Sequence, residues 1–155
     1  MLVDIQSRGS PRLSASVRRS SHEEMRAIRI EWSEEEPAVD VSTPEEVDTW
    51  LERIAAGSSV DQPTIVTLHV HDHRLLLGLG LPESFVQLER ESGDPPYIAT
   101  VGDPNADDVV AFYLHGVHHT EIPRRYLVEA ATAREVVREF TARGTRSTAV
   151  VWEEI

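Results

Sequence analysis

The chain is 155 residues long, and its 27 acidic side chains outnumber 15 basic ones, every one an arginine, for a formal net charge of −12. That charge argues against a binder that neutralises phosphates and against docking on anionic lipid, and no apolar run approaches the ~20 residues of a bilayer span. The absence of cysteine rules out disulfide staples, thiolate metal sites and a cysteine nucleophile, while the length suits one domain with its own core.

Residues 1–24 hold four arginines, six serines and no hydrophobic period, and read as a disordered tail. They lack the apolar stretch of at least ~7 residues that a secretory signal needs, so the expected location is the cytoplasm. Met25, which offers a second translation start, opens an alternating segment, and residues 26–32 read as a strand. Without the tail, eleven arginines face twenty-four acids, a net of −13, so the domain expected over residues 25–155 carries the acidity. The acidic link Glu34-Glu35-Glu36-Pro37 follows. Next, Thr43 as N-cap, Pro44 at the first helical position and Glu46 three residues after the cap make a capping box. The predicted helix runs from Pro44 to Ala56, buries Val47, Trp50, Leu51 and Ile54 at i, i+3, i+4, i+7, and stops at Gly57.

Residues 64–71 alternate again, with Val66, Leu68 and Val70 toward the core and Thr67, His69 and His71 on the opposite side. Asp72-His73 reads as the turn of a hairpin, and residues 74–80 return as its second strand. Residues 84–90 and 97–101 read as strands joined by the turn at 91–96. Residues 102–108 form an acidic loop containing Asp103, Asp107 and Asp108, without the closing glutamate of a calcium loop. An apolar strand over 109–115 leads through Gly116 and residues 117–123 toward a last helix over 128–143. Ala130, Ala133, Val137 and Phe140 form the buried face of that helix, and Gly144 ends it. Residues 147–154 close the chain as a strand packed with that helix. The fold expected is α+β: a mostly antiparallel sheet of about six to eight strands with two main helices.

Catalytic templates find little support. His118-His119-Thr120-Glu121 is not the His-Glu-x-x-His helix of metalloproteases, Gly78-Leu79-Gly80 lacks the third glycine of a dinucleotide loop, and Ser84 lacks the flanking glycines of a nucleophile elbow. One enzymatic alternative stays open, in which His69 and His71, two apart on a strand, share a metal with a ligand from His115, His118 and His119. No cofactor is otherwise called for.

Leu75-Leu76-Leu77-Gly78-Leu79-Gly80, Phe112-Tyr113-Leu114-His115-Gly116, Glu121-Ile122-Pro123 and the final AATAREVVREFTARGTRSTAVVWE together resemble the first-numbered immunity family of bacterial polymorphic toxin systems, often encoded beside nucleic-acid deaminase toxins. The resemblance covers residues 25–154 and departs at Ser147, where proline is expected. It implies no active site. It implies instead a cytoplasmic protein that binds and occludes a cognate toxin acting on nucleic acid, and that itself binds neither nucleic acid nor membrane. Beside that implied role, Asp103, Asp107, Asp108, Tyr113, His115, His118 and His119 are the candidate partner-binding residues, and Tyr113 reads equally well as a core aromatic.

Overall fold

A computed structural model describes residues 27–155; the tail expected over residues 1–24 lies outside the described residues. At the centre, strand β3 (Thr64–Val70) pairs antiparallel with β4 (His73–Leu79) along its whole length. β4 pairs with β6 (Val86–Arg90), β6 with β7 (Ile98–Val101), and β7 with the last strand, β11 (Val151–Glu154). On the other side, β3 is flanked by β1 (Ile28–Glu31), and β1 by β2 (Val39–Val41).

The same edge of β3 takes a second neighbour. β8 (Val109–Leu114) pairs parallel with residues 64–65 of β3, while β1 pairs antiparallel with residues 67–69. β1 and β8 therefore approach each other head-on, and both leave the sheet beside Thr67. β9 (His118–Pro123) pairs with β8 and completes a nine-stranded sheet. Over the described residues the fold is α+β and mostly antiparallel, with two α-helices, as expected.

Helix α1 (Pro44–Ala56) begins as the sequence predicts. Thr43 Oγ1 accepts from the Glu46 backbone N–H at 3.1 Å, and Glu46 Oε1 accepts from the Thr43 backbone N–H at 3.1 Å. Helix α2 (Ala130–Arg143) ends at Gly144, whose left-handed backbone (φ 76°) lets its N–H return to the Phe140 carbonyl. Both helices cover one face of the sheet: Val47, Leu51 and Ile54 from α1 and Ala133, Val136, Val137 and Phe140 from α2 meet Val66, Leu68, Val70, Leu75 and Leu77 in one buried cluster. A smaller cluster of Ile65, Phe85, Phe112 and Leu127 lies on the other face. Gly78 belongs to it, because a Cβ there would stand 2.5 Å from the Phe112 ring.

Several elements differ from the sequence reading. The hairpin turn is His71-Asp72, with Val70 opposite His73, so His73 belongs to β4. Both turn residues have positive φ (51° and 64°), as a two-residue type I′ loop requires; a leading His-Asp gives no hint of it, since glycine or asparagine usually marks such turns. Of the connection expected over residues 117–123, His118–Pro123 form β9; with residues 118, 119, 121 and 123 exposed, no apolar period announces this strand. The strand expected over 84–90 is split into β5 (Glu83–Ser84) and β6, with Phe85 buried between them. β10 (Val128–Glu129) pairs with β5, so α2 starts two residues later than expected. The closing strand is shorter than residues 147–154 and takes β7 as its partner, while Trp152 packs against the core that α2 shares. Among the described residues, no helix is long and apolar enough to cross a membrane.

Candidate functional site

The head-on meeting of β1 and β8 shapes a broad concavity. The chain turns away from the sheet after β1 through Trp32, Ser33, Glu34 and Glu35, and after β8 through His115, Gly116 and Val117. Between these walls and α1 lies a cleft of about 560 Å³, with Trp50, Arg53 and Ile54 from the helix and Ser58, Ser59 and Gln62 from the loop that follows it. Trp32 and Trp50 are half-buried, their rings 5.3 Å apart, and the Arg53 guanidinium lies 4.5 Å from the centre of the Trp50 ring. Two contacts tie the walls together: Gln62 Nε2 donates to the Gly116 carbonyl at 3.0 Å, and His118 Nε2 meets Glu34 Oε2 at 3.1 Å.

His115 stands where the two strands part. It has a left-handed backbone (φ 52°), and its Nε2 lies 3.1 Å from Thr67 Oγ1. Burial pushes its pKa below the usual imidazole value, against the opposing pull of Glu31 and Glu34. The ring is therefore neutral around pH 7.

The face away from the helices carries a charged relay. His69 Nε2 meets Glu31 Oε1 at 2.9 Å, and its Nδ1 meets Glu91 Oε1 at 2.8 Å. Burial alone would lower the His69 pKa, but hydrogen bonds to both carboxylates, and their charges, outweigh it and raise the pKa to about 9. The hydrogen bond from His69 in turn lowers the Glu31 pKa, despite the burial of that carboxyl. An imidazolium donating both N–H groups has no lone pair left for a metal or a substrate proton.

The geometry separates the histidines on which the enzymatic alternative rests. With its backbone in the left-handed turn, His71 leaves the face of His69 and donates from Nε2 to the Thr141 carbonyl on α2 at 3.1 Å. His73 donates from Nδ1 to the His71 carbonyl at 2.8 Å and packs edge-on against Phe140. Among the described residues, no group of three or more His, Asp or Glu side chains is arranged to hold a metal ion.

The candidate partner-binding residues divide between the two ends of one hairpin. At the turn end, Tyr113 packs edge-on against His119 with centroids 5.4 Å apart; His118 and His119 are exposed, and Tyr113 is half-buried. At the far end, beyond the pair Val109 and Pro123, lies the acidic loop. Asp103 Oδ1 accepts from the Asn105 backbone N–H at 2.9 Å. Asp108 is bound by the Arg124 guanidinium, which lowers its carboxyl pKa and which also reaches Glu83. Asp107 is exposed. Trp32, Trp50, Arg53 and Gln62 were missed by sequence reasoning, which placed Trp50 on the buried helix face. The signal available was Trp32, one serine ahead of the acidic run Glu34-Glu35-Glu36.

A family model described as Immunity protein Imm1 matches residues 35–154. The chain belongs to that family. No curated protein matches it. Imm1 membership identifies an immunity protein, whose partner is a cognate toxin protein. The matched span takes in α1, the cleft loops after it, the β8–β9 hairpin and both ends of the candidate surface.

Proposed function

We propose that this Imm1 protein works in the cytoplasm of the toxin-producing bacterium and neutralises a nucleic-acid-targeting toxin, a deaminase in particular, by covering its active cleft. The observation that carries the reading is the family match over residues 35–154. The charge supports the finer part. A toxin that acts on nucleic acid needs a basic cleft to hold phosphates, and a chain of net charge −12 is drawn to such a cleft by the same field. Under this reading the protein binds neither nucleic acid nor membrane.

The proposed contact surface follows the β8–β9 hairpin. Six residue pairs separate its ends, roughly 20 Å, so Tyr113, His115, His118 and His119 can share one partner footprint of about 800 Å² with Asp103, Asp107 and Asp108. Asp108 already answers Arg124, so its role is to position the loop more than to meet the toxin directly.

The test is survival. The toxin domain encoded beside this gene is induced in bacteria with and without this chain, and the pair is co-purified. Rescue together with a stable complex is the expected result; death of cells that contain both folded proteins, with no complex, would overturn the reading.

A further inference from the structure

Resting on that reading, we propose that the cleft between α1 and the turn of the β8–β9 hairpin is the anchor point for the toxin, and that what enters it is a basic loop bearing an arginine or lysine side chain. Three observations point there. The first is exposed apolar surface: two of the chain's three tryptophans stand half-open in the cleft, with Val60 (69% exposed) and Val117 (55% exposed) on the adjoining loops. A cluster of this kind, centred on tryptophan and rimmed by polar groups, has the anatomy of an interface anchor.

The second is the sign of the rim. Glu34 and Glu35 line the mouth, with Glu36 and Asp61 on the same loops, and of these four only Glu34 has an ion-pair partner among the described residues, the exposed His118. Elsewhere Asp48, Glu83, Glu89, Asp108 and Glu153 are each held by an arginine of the chain itself. The neutral ring of His115 adds no positive charge to the cleft.

The third is Arg53. Its guanidinium lies over the Trp50 ring and has no carboxylate partner among the described residues. The aromatic face is thus already shaped for a planar cation. Arg53 is exposed on a flexible stem and can swing aside, leaving an incoming arginine the ring face together with Glu34 and Glu35.

Calorimetric titration of the neighbouring gene's toxin domain into the full chain tests this. Glu35→Arg and Val117→Arg change exposed side chains, so the fold survives; each is expected to weaken binding by about 30-fold or more. Arg53→Ala removes a competing cation and is expected to bind about threefold more tightly. Glu135→Arg, on the exposed face of α2, is the control for net charge and changes affinity by less than about threefold. If the wild-type chain binds and Glu35→Arg and Val117→Arg bind equally well, the cleft proposal is overturned and the immunity reading stands. Weakening by Arg53→Ala with tightening by Glu35→Arg would mean an acidic occupant and would also overturn it. Failure of the wild-type chain to bind removes both.

Discussion

His69 holds a proton between Glu31 and Glu91, and in doing so joins β1, β3 and the turn after β6 on the face opposite α1 and α2. Folding raises its pKa from 6.5 to about 9, so its contribution is complete below about pH 6.5 and is lost as the pH rises through about 9. Glu31 works in the opposite sense: its lowered pKa adds stability above the ordinary carboxyl range, and this is lost as the pH falls through the lowered value. The relay is therefore strongest in mildly acidic solution. A rise of that size corresponds to at most about 3 kcal/mol. In denaturant unfolding, His69→Gln should fall short of wild type by about 2 kcal/mol at pH 6 and by under about 1 kcal/mol at pH 10; an equal gap at both would mean that the ring acts through packing alone. Gly102 answers to sterics instead. A Cβ there would lie 1.7 Å from the Leu127 carbonyl oxygen, which is backbone and cannot step aside. Gly102→Ala is expected to cost more than about 3 kcal/mol, read as the loss of a cooperative thermal transition at its wild-type temperature.

At the scale of elements, the β3–β4 hairpin turns through two residues that pay for left-handed backbone without being glycine, His71 and Asp72. Asp72→Gly fits the type I′ loop better and leaves the Asp72 carbonyl, which accepts from the Glu91 N–H, in place. It should raise stability by about 0.5 kcal/mol in denaturant titrations; a loss would show that the aspartate side chain itself holds the turn. This turn also marks where the sequence stops being informative. Helix α1 was legible to the residue, because Thr43, Pro44, Glu46 and Gly57 are local signals with local consequences. β3 was legible through its alternation, and β4 as the apolar strand returning from the turn. The turn was displaced by one residue because His-Asp looks like neither flank of an I′ loop, and that single step decided that His69 and His71 face opposite sides. β9 was invisible because its partner, not its composition, makes it a strand. The cleft could not be read at all: its walls come from residues 32–35, 50–62 and 115–117, which meet only because β1 and β8 share an edge of β3.

At the scale of the whole molecule, more than half of the arginines among the described residues are paired within the chain. Arg29, Arg74, Arg124, Arg125, Arg134 and Arg138 each meet a carboxylate of the same chain, so the acidic surplus faces solvent. Most of these pairs are exposed and contribute little to stability; their effect is on the field that a partner meets. A field of that kind acts over about a Debye length, roughly 10 Å at 0.1 M salt and 3 Å at 1 M, and it governs encounter more than residence. Stopped-flow association with the toxin domain should therefore slow by about tenfold or more between 0.05 and 0.5 M sodium chloride, while dissociation changes by less than about threefold. The division follows from the site. Under the proposed function, long-range attraction by a chain of net charge −12 would bring the toxin in, whereas contacts desolvated in the cleft around Trp32 and Trp50 would hold it once docked, and salt cannot screen what water no longer reaches. An association rate indifferent to salt would separate the acidity of the chain from its recognition of the toxin; a dissociation rate that climbs with salt would place the holding contacts on the open rim, where Glu35 and Asp107 stand exposed.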